Sequence, residues 1–128
     1  MNPDEIMDKP YWIIDILPKQ VPENSPGQYF KIEKYWLENQ KTEIRQKHFN
    51  LILKLNCYMD ISIDEEINPS PETILNRMNE TDVSIRIGNA MILSEKDDTY
   101  MTVYNPDKPL LEMIRKIASG EGLFVWKP

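Results

Sequence analysis

The sequence predicts an α+β fold: a single domain with one mixed or mainly antiparallel sheet and about three helices packed on it. Three observations lead there. Short segments of alternating polarity are bounded by turn residues, segments with helical spacing lie between them, and the resulting order is β-α-β-α-β-β-β-α-β. The length of 128 residues fits one domain. We therefore expect a single domain over 1–128, with residues 1–9 as a candidate disordered start.

The first predicted strand is the apolar segment 11–17, which Pro10 and Pro18 bracket. Both of its faces are mostly apolar, which is typical of a strand covered on both sides. Asp15 is an acid in this apolar setting, and such a residue is paired, at a sheet edge or functional. Arg86 is one candidate partner for it.

A helix over 26–48 is predicted next, because Ser25 to Gln28 has the pattern of a capping box with proline at the first helical position. Its apolar stripe thins after Leu37. A break is compatible with the pair Asn39–Gln40.

Strict alternation over 49–63 predicts a long half-buried strand, with a bend, bulge or split because of its length. Cys57 falls on the apolar side and is expected in the core. His48 is expected at the helix-to-strand transition, near the end of the helix. An extended chain would hold the two roughly 30 Å apart, which argues against a Cys–His catalytic pair.

The second half of the chain gives clearer boundaries. Ser70 is expected to cap a short helix, and segment 82–94 reads as a hairpin with Gly88–Asn89 in a type II′ turn. A strand over 100–104 follows. The last helix starts at Asn105–Pro106 or at Asp107 and stops at Gly120, and residues 123–126 form a closing strand.

Composition narrows the function classes. Fifteen basic against twenty-one acidic residues give a net charge of −6, which disfavours nucleic acid and anionic membranes as partners. One Cys and one His exclude an intramolecular disulfide and a Cys/His zinc site. The sequence has no leader-like start, no membrane-spanning apolar run and no glycine-rich phosphate loop. We expect a cytoplasmic protein without a cofactor.

The charge is unevenly distributed. Residues 25–58 carry six bases and three acids, whereas 59–107 carry eleven acids and three bases. An anionic partner is plausible only at the helix over 26–48, and a cationic one at the acidic centre. The candidates for cation binding are Asp60, Asp64, Asp97 and Asp98. The candidate interaction residues are these four with Tyr58, Glu65, Glu66 and Tyr100.

The leading functional hypothesis is a non-enzymatic protein-interaction module, immunity- or adaptor-like, whose acidic central region binds a basic protein partner. The analogy with immunity proteins rests on size and charge alone. Two alternatives stay open: a carboxylate-dependent or metal-assisted hydrolase, and a small-ligand binder with a pocket between helix and sheet. The sequence is also compatible with a homo-oligomer through a sheet edge, and it leaves the strand order and the partner open.

Overall fold

The computed structural model describes residues 2–128, which form one seven-stranded antiparallel sheet and five helices. The predicted α+β class is confirmed, with five helices instead of about three. Met1, the first residue of the segment predicted to be disordered, lies outside the described residues. The helices are α1 Pro3–Met7, α2 Tyr29–Asn39, α3 Lys41–Asn56, α4 Pro71–Glu80 and α5 Lys108–Glu121. The strands are β1 Tyr11–Asp15, β2 Ile61–Ile63, β3 Glu66–Ile67, β4 Val83–Ile87, β5 Ala90–Ser94, β6 Tyr100–Tyr104 and β7 Phe124–Trp126.

The strands lie in the order β3-β2-β4-β5-β6-β1-β7. The first strand of the chain is therefore an interior strand, between β6 and β7. Because successive side chains of a strand point to opposite faces, the sheet separates two sets of residues. One face is the core, where Ile14, Ile85 and Ile92 pack in one cluster with Leu51 of α3 and Ile114 of α5. The other face is much more polar and carries the site described below.

The predicted strand over 49–63 is wrong for most of its length. Residues up to Asn56 continue α3, and only Ile61–Ile63 is a strand. The buried residues of α3 include Ile44, His48, Leu51 and Leu55, which recur at intervals of four, three and four. This spacing is typical of a helix face packed on a core. It determines the structure of the segment, and the alternation of apolar and polar residues over 49–63 does not.

Two residue placements change with it. His48 lies in the middle of α3 and is fully buried, so its predicted position near a helix end is wrong. Cys57 is exposed at the C-cap of α3, so its predicted place in the core is wrong. It follows Leu55 by two positions, which on a helix turns it away from the buried stripe.

The predicted break at Asn39–Gln40 is confirmed, since α2 ends at Asn39 and α3 begins at Lys41. The predicted capping box is wrong, because α2 begins only at Tyr29. Gly27 has a φ of 93°, which is incompatible with a right-handed helix starting at Pro26.

The remaining boundaries follow the sequence closely. Ser70 caps α4 by accepting a hydrogen bond from the Thr73 N–H at 3.1 Å. Asp107 caps α5, and this helix runs past the predicted stop at Gly120 to Glu121, with Gly122 as its C-cap at a φ of 74°. β4 and β5 form the predicted hairpin through Gly88, which has a φ of 55°. None of the helices within residues 2–128 is both long and apolar enough to cross a membrane.

Candidate ligand-binding cleft

The polar face of the sheet holds a cleft of about 410 Å³. The register of β1 on β6 builds its floor, because Tyr11 lies opposite Tyr104 and Asp15 lies opposite Tyr100. Directly opposed residues of an antiparallel pair share a face, so these four side chains project to the same side. The walls come from the start of α2, from the β5–β6 loop and from the end of β7. The residues that line it are Met7, Tyr11, Ile13, Asp15, Gln20, Tyr29, Glu33, Glu95, Tyr100, Thr102, Tyr104, Trp126 and Pro128.

Four of the described lining residues are tyrosines. The rings of Tyr11 and Tyr104 lie 5.5 Å apart between centroids, tilted by 41°. Burial, reinforced by the charges of Asp15 and Glu33, raises the pKa of Tyr29 to about 12. Burial also raises the pKa values of Tyr100 and Tyr104. All three hydroxyls therefore stay protonated at neutral pH and can donate hydrogen bonds.

Asp15 sits at the bottom of the cleft with 2% of its surface exposed. Its carboxylate accepts the Leu17 N–H at 3.2 Å, and it also bonds the side chain of Thr99 and the backbone of Ile16. Burial raises the pKa of Asp15, although these hydrogen bonds act in the opposite direction. The candidate partner Arg86 lies on β4, and two strands separate β4 from β1. The two backbones are therefore roughly 14 Å apart, which argues against a direct contact between Arg86 and Asp15.

Glu95 and Glu33 are the other two carboxylates of the cleft. A hydrogen bond to the Asp98 carboxyl, together with burial and the charges of Asp98 and Asp82, raises the pKa of Glu95 to about 7. Within residues 2–128, the lining contains no Lys, Arg or His. The cleft thus combines three carboxyl groups with aromatic rings, and the raised pKa values of Asp15 and Glu95 reduce its negative charge at neutral pH.

A side-chain cation, the ammonium group of Lys127, lies beside the aromatic ring of Tyr11 at the edge of the cleft. The ammonium group of Lys127 lies 5.5 Å from the ring centroid of Tyr11 and 4.5 Å from that of Trp12. It also donates a hydrogen bond to the Tyr11 carbonyl at 3.0 Å. These distances are in the range of a cation–π interaction.

Hydrogen bonds from side chains of α3 hold the β5–β6 loop, residues 95–99, in place. Arg45 donates to the Glu95 carbonyl at 3.3 Å and to the Ser94 hydroxyl at 2.8 Å. His48 contacts the Thr99 carbonyl through Nε2 at 3.1 Å. Both ends of the loop are therefore anchored, which holds Glu95 and Tyr100 in place at the cleft.

The residues predicted from the sequence fall into two separate groups. Tyr100 lines the cleft, Asp98 bonds Glu95, and Asp97 forms an ion pair with Lys41. The second group lies around β2 and β3, beyond β4 and β5 in the sheet. There Asp60 accepts a hydrogen bond from Asn68 at 2.9 Å and Asp64 pairs with Arg77, while Tyr58, Glu65 and Glu66 are exposed. In the part of the chain that is described, no three His, Cys, Asp or Glu residues lie close enough together to hold a metal ion.

Most of the cleft was not identified from the sequence. The sequence singles out Asp15, as a residue that is paired, at a sheet edge or functional, and Tyr100, but no pattern in it points to Tyr11, Tyr29, Glu33 or Glu95. The available signal was strand parity, which puts Tyr11 and Asp15 on one face of β1 and Tyr100 and Tyr104 on one face of β6. These two faces meet only because β1 lies beside β6, and no local sequence pattern predicts that two strands so far apart in the chain are neighbours.

Hydroxyl oxygens, aromatic faces and carboxylates in one concave site offer acceptors and π faces, which suit the recognition of a positively charged organic group. Comparison of the chain with known protein families, with characterised proteins and with solved structures gave no match.

Proposed function

We propose that this protein is a binding protein that takes an organic cation, an amine or a guanidinium group, into the cleft on the polar face of the sheet. The observation that carries the proposal is the makeup of the cleft: among the described residues it combines four tyrosines and three carboxylates with no basic side chain. Such a lining disfavours anions, and its negative charge increases as Asp15 and Glu95 ionise.

The dimensions support a small ligand. A volume of about 410 Å³ lies in the range of small-molecule pockets, roughly 300–1,000 Å³. An ammonium group gains from carboxylate hydrogen bonds and from the faces of tyrosine rings, and both gains increase in a partly desolvated site. The Lys127 ammonium supports the proposal, because it lies within cation–π distance of the Tyr11 ring.

Calorimetric titration with putrescine and agmatine tests the proposal, with 1,4-butanediol as the uncharged analogue. We expect saturable binding of the two cations and none of the diol. Glu33→Gln, which removes one carboxylate, should weaken binding about tenfold, the worth of one charge-assisted hydrogen bond. The matched control Glu112→Gln, on the exposed side of α5, should bind like the parent. Binding that is equal in both variants, or absent for both cations, would contradict the cleft as a cation site.

The interaction hypothesis remains a second candidate, and it concerns a different surface. Tyr58 and Ile67 are 74% and 69% exposed, the highest values among the exposed large apolar side chains of the described residues, and both lie beside a cluster of acids. Asn68 joins their two segments, because it bonds the Asn56 amide at 2.9 Å and the Ile61 N–H at 3.0 Å. This acidic rim with two apolar anchors suits a basic protein partner.

An NMR titration with a lysine-rich octapeptide separates the two candidates. Shifts confined to residues 58–67, and lost in the double variant Asp60→Asn/Asp64→Asn, would support the acidic rim. Shifts confined to the tyrosines of the cleft would instead show that the peptide presents its ammonium groups there.

Two further sequence predictions belong to the same proposal. A cytoplasmic location accords with the free and exposed thiol of Cys57. A homo-oligomer through a sheet edge would have to use β3 or β7, which have two and three residues, so either edge offers few backbone hydrogen bonds.

A further inference from the structure

A second cavity, of about 340 Å³, lies beside the cleft's loop, where α3 begins and α4 passes. We call this cavity the basic pocket. Of its described lining residues three are basic and none is acidic. The lining consists of Lys41, Thr42, Arg45, Gln46, Leu75, Asn79 and Lys96.

Arg45 forms the buried part of this wall and has 6% of its surface exposed. Its hydrogen bonds within residues 2–128 go to neutral acceptors: the ring of His48, the Ser94 hydroxyl and the carbonyls of Met78 and Glu95. Its Nε atom is buried without any partner in the same part of the chain. A buried guanidinium without a contacting carboxylate is costly, so an anion in the pocket would offset an existing penalty.

Acids lie near the pocket without lining it, among them Glu43 in the first turn of α3. Asp82 and Asp97 are the acids that act on Arg45 electrostatically, and Asp97 is already paired with Lys41. Both partners of that pair are more than half exposed, so the pair is weak and Lys41 is free to turn to a ligand. Lys96 adds a third positive charge.

The first residues of α3 also favour the binding of an anion in the pocket. Lys41 and Thr42 are the first two residues of this sixteen-residue helix, and its N-cap residue Gln40 makes no side-chain capping bond within the described chain. The first backbone N–H groups of a helix have no partner inside the helix, and they carry the positive end of its dipole. Phosphate groups bind at such ends.

We propose that the basic pocket binds a phosphate dianion, either free or as the monoester of a small molecule. Two lysines and one arginine bring three positive charges to the two negative charges of a dianion, and Thr42, Gln46 and Asn79 supply neutral hydrogen-bonding groups. This site is separate from the cation cleft, with the β5–β6 loop between them, and it does not depend on the function proposed for that cleft.

Amide chemical shifts measured at constant ionic strength during titration with inorganic phosphate and with phenyl phosphate test the proposal. We expect saturable shifts at residues 41–46 and 96, with the tighter probe identifying the free ion or the ester as the natural form. Lys96→Gln and Lys41→Gln should each weaken binding about tenfold. Lys116→Gln, an exposed change on α5, should leave it unchanged.

Three results would overturn the proposal: no saturable shifts at residues 41–46 with either probe, equal weakening in Lys116→Gln, or a phosphoserine peptide bound more than ten times tighter than phenyl phosphate. The peptide result would assign the pocket to a phosphorylated protein. Because both test substitutions remove partly exposed lysines, circular dichroism can verify that the variants keep the parent fold. The cation titrations of the cleft are independent, so either site can fail alone.

Discussion

Arg45 donates a hydrogen bond to Nδ1 of His48, one turn further along α3, with 3.1 Å between the nitrogens. A guanidinium has donors only, so Nδ1 must be the acceptor and the ring proton must lie on Nε2. That proton is donated to the Thr99 carbonyl at 3.1 Å. The pair thus places two polar side chains in the core and connects α3 to the loop that borders both the cleft and the basic pocket.

The pair predicts a specific acid sensitivity. Burial and the charge of Arg45 lower the pKa of His48 to about 3 from its ordinary 6.5. Between these values the unfolded chain binds more protons than the folded one, so this group's stabilisation is present above pH 6.5 and is lost as the pH falls through 3. The slope is at most about 1.4 kcal/mol per pH unit.

His48→Gln should remove this component. Urea unfolding of the parent and the variant at pH 7, 5.5 and 4.5 measures it as the difference between the two curves, in which the carboxylates common to both cancel. The variant should be less stable at pH 7, with the gap narrowing as the pH falls. A constant gap would contradict the buried, neutral histidine.

Glu95 predicts a pH dependence of opposite sign. Its folded pKa of about 7, above its ordinary value of 4.5, means that the folded state binds more protons between these values. Its contribution to stability is complete below pH 4.5 and is lost as the pH rises through 7. In Glu95→Gln this loss should disappear, and denaturant unfolding at pH 5 and pH 8 measures the difference.

The same titration should govern cation binding in the cleft. Above pH 7 Glu95 becomes a carboxylate, so putrescine should bind more tightly at pH 8 than at pH 6. Glu95→Gln should show no such increase, whereas the control Glu112→Gln should keep it. An equal rise in affinity in Glu95→Gln would assign the pH dependence to another group.

Arg45 should be among the least replaceable side chains of α3. Arg45→Met would leave the acceptors on His48, Met78 and Ser94 without their donor, at a cost of about 3 kcal/mol or more in the free energy of unfolding. Arg115→Met is the matched control, because Arg115 is exposed and donates to the Val125 carbonyl at 3.2 Å. Denaturant unfolding compares the two, and a similar loss in both would contradict a special role for Arg45.

The sequence was informative where local rules decide the structure. Ser70 and Asp107 cap their helices through side-chain oxygens, and the hairpin turns at Gly88. These features depend on a few neighbouring residues, so propensity and turn chemistry suffice to predict them.

Prediction failed where a polar residue lies in the core. Leu51 and Leu55 belong to the same buried face of α3 as His48 and Arg45, but a search for apolar periodicity passes over the last two. Without these two residues, the pattern that stands out is the alternation of apolar and polar residues over 49–63, which is typical of a strand. The cleft was inaccessible for a different reason: β1 pairs with β6 across more than eighty residues of chain, and only the complete sheet brings Asp15 to Tyr100.

The end of α5 offers a paired test of backbone conformation. Gly122 has a φ of 74°, and a Cβ added there would lie 2.9 Å from the Nζ atom of Lys47, which donates to the Glu121 carbonyl at 2.8 Å. Gly122→Ala must hold an unfavourable left-handed conformation and displace that lysine, so it should destabilise the protein by about 1–2 kcal/mol. Gly120 lies inside α5 with nothing within 4 Å of an added Cβ, so Gly120→Ala should stabilise the helix by about 0.5–1 kcal/mol. Thermal and urea unfolding of the two variants should therefore move in opposite directions. A stabilising Gly122→Ala, or a Gly120→Ala that destabilises the protein as much as Gly122→Ala does, would contradict a helix end at Gly122.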